Sequence, residues 1–252
     1  MRSETDALIA RGNPVSIEAW QVRLTADRAI AHEHQSPEQR RITETVLERA
    51  LSAGAVGVAL TGSTARAKRT LISDLDYHVI GTRPFLDDLP ADVDVYAVSA
   101  ERMASKLRAG DDFVQWTLRL GCILFDGGAF RQAAIELIEA DLWPDGQAKL
   151  ARLPELRRLA SRLISVGDRD AAQDHVRASL TSAARGLLLV EGVFPLARSE
   201  LVGQLQDSNA AALASALEAT IYGEPTLEEL ERFVSLLESE RPQALQNMKR
   251  AS

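Results

Sequence analysis

The chain has 252 residues, a formal net charge of −7 at pH 7 and 46% apolar residues, so it is long enough for two domains with full cores and is not a disordered polyelectrolyte. The acidic balance excludes a broad basic nucleic-acid surface, although the numerous arginines leave room for a local basic groove. A single cysteine, Cys122, cannot form an internal disulfide, Met1–Asp6 lacks the apolar core of a signal peptide, and no run reaches the ~18 apolar residues of a membrane span; together these fit a soluble protein of a reducing cytoplasm.

Ile17–Ala31 reads as an amphipathic helix with Trp20, Leu24 and Ile30 on its buried face. Ser36-Pro37-Glu38-Gln39 is a helix start, with Ser as cap, Pro at the first helical position and Gln at the capping-box position. That second helix runs to about Ala53 and stops at Gly54. Between the two, His32-Glu33-His34 lacks the spacing of a helical zinc site and reads as surface.

The stretch Val56–Ile80 holds the chemistry. An apolar run, Val56–Thr61, is short enough for one buried strand, and Gly62-Ser63 breaks it. A few helical turns of Ala, Arg and Lys follow. A second strand opens at Ser73-Asp74-Leu75-Asp76 and continues to Ile80. Alternation puts Asp74 and Asp76 on one face, their Cα atoms roughly 7 Å apart. Two carboxylates that close repel each other unless a cation lies between them, and Mg²⁺ takes one or two carboxylates while filling its other positions with water and phosphate oxygens. The Gly62-Ser63 turn suits the phosphates themselves: glycine permits close backbone approach, and a helix beginning at Ser63 would aim free N–H groups at an anion. Arg66, Lys68 and Arg69 add positive charge. A Walker A loop does not fit, because Gly62 is followed at the required offset by Ala67-Lys68-Arg69. By alternation His78 shares the face of Asp74 and Asp76, one step deeper into the strand.

Gly81–Pro90 is a loop, and Val93–Val98 is a third strand with Asp94 and Tyr96 on one face; Asp92 shares that face at the strand's ragged start. Ala100–Leu107 and Asp111–Leu120 are helices, the second with Phe113, Trp116, Thr117 and Leu120 at core spacing. Cys122–Phe125 is a short apolar run ended by a turn at Asp126-Gly127-Gly128, and Asp141–Gly146 marks a domain boundary. Beyond it the period is helical, with helices expected at 147–166, 171–191, 199–206, 210–221 and 227–238. This half carries no catalytic constellation; it reads as a bundle covering the sheet, or as one wall of an acceptor cleft to which Arg177, Arg185 and Arg198 contribute.

In order and spacing the central pieces resemble the nucleotidyltransferase superfamily, of the DNA polymerase β-like fold, and within it the kanamycin-type antibiotic nucleotidyltransferases. That signature is an apolar residue, Gly, then Gly or Ser, a spacer, Asp-x-Asp, and a third carboxylate on a later strand. Here it is Thr61-Gly62-Ser63, ten intervening residues, Asp74-Leu75-Asp76, and Asp94 within Val93-Asp94-Val95. Many members read Gly-Ser-x-Ala-Arg-Gly; this chain reads Gly62-Ser63-Thr64-Ala65-Arg66-Ala67, departing at the last glycine, which bears on a local turn. A Trp-containing helix before a Gly-x-x-Leu-Phe/Tyr-Asp strand is also familiar in the antibiotic-modifying members, so the resemblance extends to about Asp126.

The resemblance implies an α/β (α+β) chain: a small mixed-sheet nucleotidyltransferase domain with N-terminal helices over residues 1–140, then a helical bundle over 141–252. It implies a Mg²⁺-dependent enzyme moving a nucleoside monophosphate, AMP by preference, from a nucleoside triphosphate such as ATP to an acceptor hydroxyl. Asp74 and Asp76 would hold metal, with Asp94 as base or shared ligand. Gly62, Ser63 and Arg66 would hold the β and γ phosphates. The leading acceptor is a small aminoglycoside-like molecule, with no membrane partner. The alternatives are a toxin–antitoxin enzyme modifying a partner protein or a tRNA end, and a catalytically dead binding module on the same fold. Oligomeric state is left open.

Overall fold

The computed structural model describes residues 16–68, 74–84, 88–90, 92–223 and 225–241. Arg69, Ser73 and Met1–Asp6, which figure in the sequence reading, lie outside the described residues. The chain divides between Pro144 and Asp145 into two compact units. It is a mixed α/β protein, with one small four-stranded mixed sheet and many helices.

The first unit opens with α1 (Ile17–Glu33) and α2 (Pro37–Ser52). The second has the expected capping box: the Ser36 hydroxyl accepts from Gln39 N, the Gln39 side chain accepts from Ser36 N, and Pro37 fills the first turn. His32 and His34 are exposed. Then come β1 (Gly57–Leu60), the single turn α3 (Gly62–Ala65), β2 (Leu75–Ile80) and β3 (Val93–Val98). The helices α4 (Ala100–Arg108) and α5 (Asp112–Leu120) lead to β4 (Cys122–Asp126) and α6 (Ala129–Glu139).

Strand order is β3-β2-β1-β4, with β1 antiparallel to both neighbours and β2 parallel to β3. All four residues of β1 are buried, as a central strand covered on both faces requires. One face carries Ala59, Ile80, Val98 and Ile123 into a core with Met103, Leu107, Val114, Leu118, Phe130 and Leu137 from α4, α5 and α6. On the other, the Tyr77 hydroxyl meets Thr43 of α2 at 2.6 Å, buried beside Gln35. A buried phenol that lacked such a partner would cost free energy on desolvation.

The sheet edge at β4 is closed by side chains instead of another strand. Asp27 of α1 accepts from Ile123 N at 2.9 Å, Arg28 Nε donates to Leu124 O at 2.6 Å, and Arg23 reaches Gly121 O at 3.5 Å. Arg23 and Asp27 are themselves paired at 3.2 Å and almost fully buried. Burial pushes the Asp27 carboxyl up from its ordinary value, and the Arg23 charge opposes that shift. An edge strand's unpaired backbone groups are thus satisfied and shielded. Of the expected buried face of α1, Trp20 and Leu24 are in the core and Ile30 is half-buried, but Arg23 and Asp27 join them.

The helix α6 is not anticipated by reading Asp126-Gly127-Gly128 only as a turn. Asp126 makes that turn a helix start: its carboxylate accepts from Gly128 N, Phe130 N and Arg131 N, and from the Trp20 indole at 2.8 Å. Phe130, Ala133, Ala134 and Leu137 then supply the buried stripe.

Among its described residues the second unit has helices and no strand: α7 (Gly146–Ala151), α8 (Leu153–Ser165), α9 (Arg169–Val190), a 3₁₀ turn (Arg198–Glu200), α10 (Leu201–Asp207), α11 (Ala211–Tyr222) and α12 (Leu227–Glu240). The helix expected over 147–166 is two, parted at Arg152. Pro154 has no N–H for a continuing ladder, so it sits in the first turn of a new helix, where that donor would have no partner in the helix. Val176, Leu180, Ala183, Ala184, Leu187 and Leu188 of α9 form the spine of this core. Here α7 meets α9 at backbone distance: a Cβ on Gly146 would lie 2.6 Å from Gly186 O. Arg177 pairs with Asp174 at 2.9 Å and Arg185 donates to Leu196 O, so both are engaged within the unit.

Candidate active site

The turn after β1 and the start of β2 are built against each other. Thr61 donates twice to the Asp76 carbonyl, from its backbone N at 2.8 Å and its hydroxyl at 3.2 Å. The Thr64 hydroxyl donates to Asp74 O at 3.4 Å. Gly62, with φ +65°, lies so close to Asp76 that a Cβ there would be 2.0 Å from the carboxylate Oδ2. Glycine is therefore needed twice, for a left-handed backbone and for the approach of the carboxylate. Ser63 O accepts from Arg66 N and Lys68 N, which coils the segment tightly. Ala67 closes that coil with φ +55°, a left-handed backbone that a non-glycine residue rarely adopts.

Asp76 and Asp94 are Cα partners in the parallel register of β2 and β3. Neighbouring strands lie about 4.8 Å apart and paired residues point to the same face, so the two carboxylates stand side by side. Asp74 is exposed and precedes β2 by one residue, while Asp92, also exposed, precedes β3. Among the described residues no three His, Cys, Asp or Glu side chains form a ready-made metal cluster. What the structure brings together is the pair Asp76 and Asp94. Two adjacent carboxylates with open cleft beside them fit a hard divalent cation such as Mg²⁺, which needs no all-protein cage.

Both line a cavity of about 270 Å³ together with Thr61, Tyr77, Tyr96, Lys106 and Phe113. Tyr96 follows Asp94 by two residues on the same face, and its ring stands edge-on to Phe113 at 5.1 Å. Lys106, near the end of α4, is held by the Asp111 carboxylate at 2.6 Å and lies 5.6 Å from the centre of the Tyr96 ring. Burial works to lower the Lys106 pKa, but the hydrogen bond to Asp111 and the interaction with Tyr96 prevail and raise it, so the ammonium keeps its charge. Sequence reasoning missed Lys106 and Tyr96 as site residues and assigned Phe113 to the core. Helical spacing identifies a buried stripe but not which end of it a fold opens to solvent. Trp116 and Thr117 of the same stripe are indeed buried.

His78 lies fully buried behind this wall, 5.2 Å from the Tyr96 and Phe113 ring centres. The Thr117 hydroxyl spends its one proton on Phe113 O at 3.1 Å, so its 3.0 Å contact with His78 assigns the imidazole proton to Nδ1. Among the described residues Nε2 is left as a buried lone pair without a partner. Burial drives the pKa of His78 down to about 4, with Asp111 opposing and Lys106 adding to the shift. The residue is therefore a neutral part of the core and not an acid or base at neutral pH. Cys122 is equally inert: burial pushes its thiol up to about 12.

No family model and no curated protein matches the sequence. Among solved structures, the chain is similar to a nucleotidyltransferase-like protein from Exiguobacterium sibiricum 255-15, with 18% identity, a TM-score of 0.38, and 85% of this chain and 80% of that one covered. No helix of the described residues is long and apolar enough to cross a membrane.

Proposed function

We propose that the chain is a nucleotidyltransferase that moves AMP from a nucleoside triphosphate to an acceptor hydroxyl and releases pyrophosphate. The observation that carries this reading is the seating of the Asp76 carboxylate on Gly62, with Asp94 beside it in register. The glycine turn, the Asp-x-Asp strand and the later carboxylate thereby meet at one place from three separate parts of the chain. A Mg²⁺ ion held by Asp76 and Asp94, with Asp74 as a further ligand at the strand mouth, would neutralise charge on the phosphates. Gly62 and Ser63, with Arg66 nearby, would position the β and γ phosphates. The acceptor oxygen then attacks the α-phosphorus, its proton passes to the Asp94 carboxylate, and the bond from the α-phosphorus to the bridging oxygen breaks. Catalysis in such a site comes from positioning and charge, which the rigid contact of Asp76 with Gly62 supports.

The test is product analysis with α- and γ-labelled ATP, offered separately with an antibiotic pool, tRNA and lysate proteins. Pyrophosphate and an acceptor carrying the α label are expected. ADP with a phosphorylated acceptor would overturn the reading, because attack would then have fallen on the terminal phosphorus.

A further inference from the structure

In the second unit the helix α8 keeps an apolar seam turned outward. Leu156, Leu159, Leu163 and Val166 recur at alternating spacings of three and four, the narrow seam by which one helix packs along another. Leu159 is 43% exposed and Val166, just past the helix end, is 76% exposed, while Leu156 and Leu163 are half-buried. None of the four belongs to the core cluster that α9 organises. Beside the seam stand Arg158 and Arg162, one turn apart and exposed. Arg158 donates to Pro154 O at 3.3 Å, and neither guanidinium has a carboxylate partner among the described residues. Arg157, on the opposite side of the helix, pairs instead with Glu231 of α12 at 3.6 Å. Like charges one turn apart work against a helix unless an anion from elsewhere neutralises them. We propose that this seam is a docking surface for an acidic amphipathic helix of a partner protein, whose apolar residues lie between those of α8 and whose carboxylates meet Arg158 and Arg162. Residues 152–166 carry four arginines against one acid, Glu155, in a chain whose net charge is −7, so the local sign is set against the rest of the molecule. A second copy fits less well, because two such seams laid together double the arginine excess in one interface. A lipid surface fits less well too: it takes a broad apolar face, and Asp168 and Asp170, both exposed, follow the seam directly.

Fluorescence anisotropy of the full chain with dye-labelled synthetic helices tests this. The probes are a peptide of about three heptads with Leu at the seam positions and Glu on both flanks, and its counterpart with Lys in place of Glu. The Glu helix is expected to bind, with an affinity that falls as salt is raised, and the Lys helix is not. Leu159→Ser and Val166→Ser should each weaken the Glu helix about tenfold or more, with urea unfolding unchanged because both side chains already face water. Arg158→Glu combined with Arg162→Glu should exchange the preference, losing the Glu helix and admitting the Lys helix, which no general loss of structure would produce. The proposal is overturned if the parent binds neither helix or both alike, or if the Glu helix binds Leu159→Ser and Val166→Ser as it binds the parent. Sedimentation of the chain alone and flotation with phosphatidylglycerol vesicles cover the other occupants. A dimer that Val166→Ser disperses would give the seam to a second copy, vesicle binding lost in Val166→Ser would give it to a lipid surface, and either result overturns the assignment to a partner helix.

Discussion

Gly62 and Ala67 lie five residues apart in one coil, both with positive φ, and substitution should move them in opposite directions. Gly62→Ala forces an L-residue into φ +65° and sets a Cβ 2.0 Å from the Asp76 Oδ2. The left-handed backbone costs about 1–2 kcal/mol, and alanine's stiffer unfolded chain returns about 0.4–1 kcal/mol, for a net loss of about 1 kcal/mol. The larger effect falls on the site, because the carboxylate must retreat from 2.0 Å to at least the 3.4 Å of an ordinary contact. A displacement of about 1 Å in a reacting constellation costs about 10²-fold in rate. Ala67→Gly does the reverse: it relieves φ +55° and should stabilise by about 0.5–1 kcal/mol without touching a carboxylate. All three tryptophans, Trp20, Trp116 and Trp143, precede Pro144, so urea unfolding followed by tryptophan fluorescence reads the first unit alone. Wild-type turnover in Gly62→Ala would refute the claim that Asp76 is positioned by this glycine. A loss of stability in Ala67→Gly would refute the account of the coil.

Asp27→Ala should destabilise the first unit by about 3–5 kcal/mol, since it strands the buried Arg23 charge and the Ile123 N–H together; a loss below about 1 kcal/mol in urea would show that the β4 edge is held otherwise. Asp76→Asn should abolish turnover without loss of stability, because it removes a like charge beside Asp94. Asp94→Asn should lower kcat by about 10²-fold or more, the usual scale of a positioned base. Should Asp92→Asn be the inactive variant and Asp94→Asn retain full activity, the base is Asp92, the residue just before β3. His78 is expected to make metal-free protein acid-sensitive. Its folded pKa of about 4 lies below the unfolded value of 6.5, so its contribution is complete above pH 6.5 and is lost as the pH falls from 6.5 to 4, by about 3 kcal/mol. Urea midpoints of His78→Leu should be flatter than the parent's across that window, and parallel slopes would contradict the assignment.

Local signals carried much of this protein into its sequence. The capping box at Ser36 and the third strand at Val93–Val98 are each set by a few neighbouring residues, through hydrogen bonds and alternation that act at short range. The Gly62-Ser63 and Asp74-x-Asp76 pieces stood out only through their order and spacing, which resemble a known signature; neither is distinctive alone. What spans the chain was not legible. Only the tertiary fold decided that β2 and β3 run parallel in a register that sets Asp76 against Asp94, because pairing depends on where a connection returns the chain. It alone turned Arg23 and Asp27, polar residues on a surface-like helix face, into the buried closure of a sheet edge 96 residues away. And it alone swung α4 and α5 over that sheet, bringing Lys106 and Phe113 to the carboxylates: a side chain's chemistry is written in its own position, but its neighbours across a cleft are written by everything the core must bury.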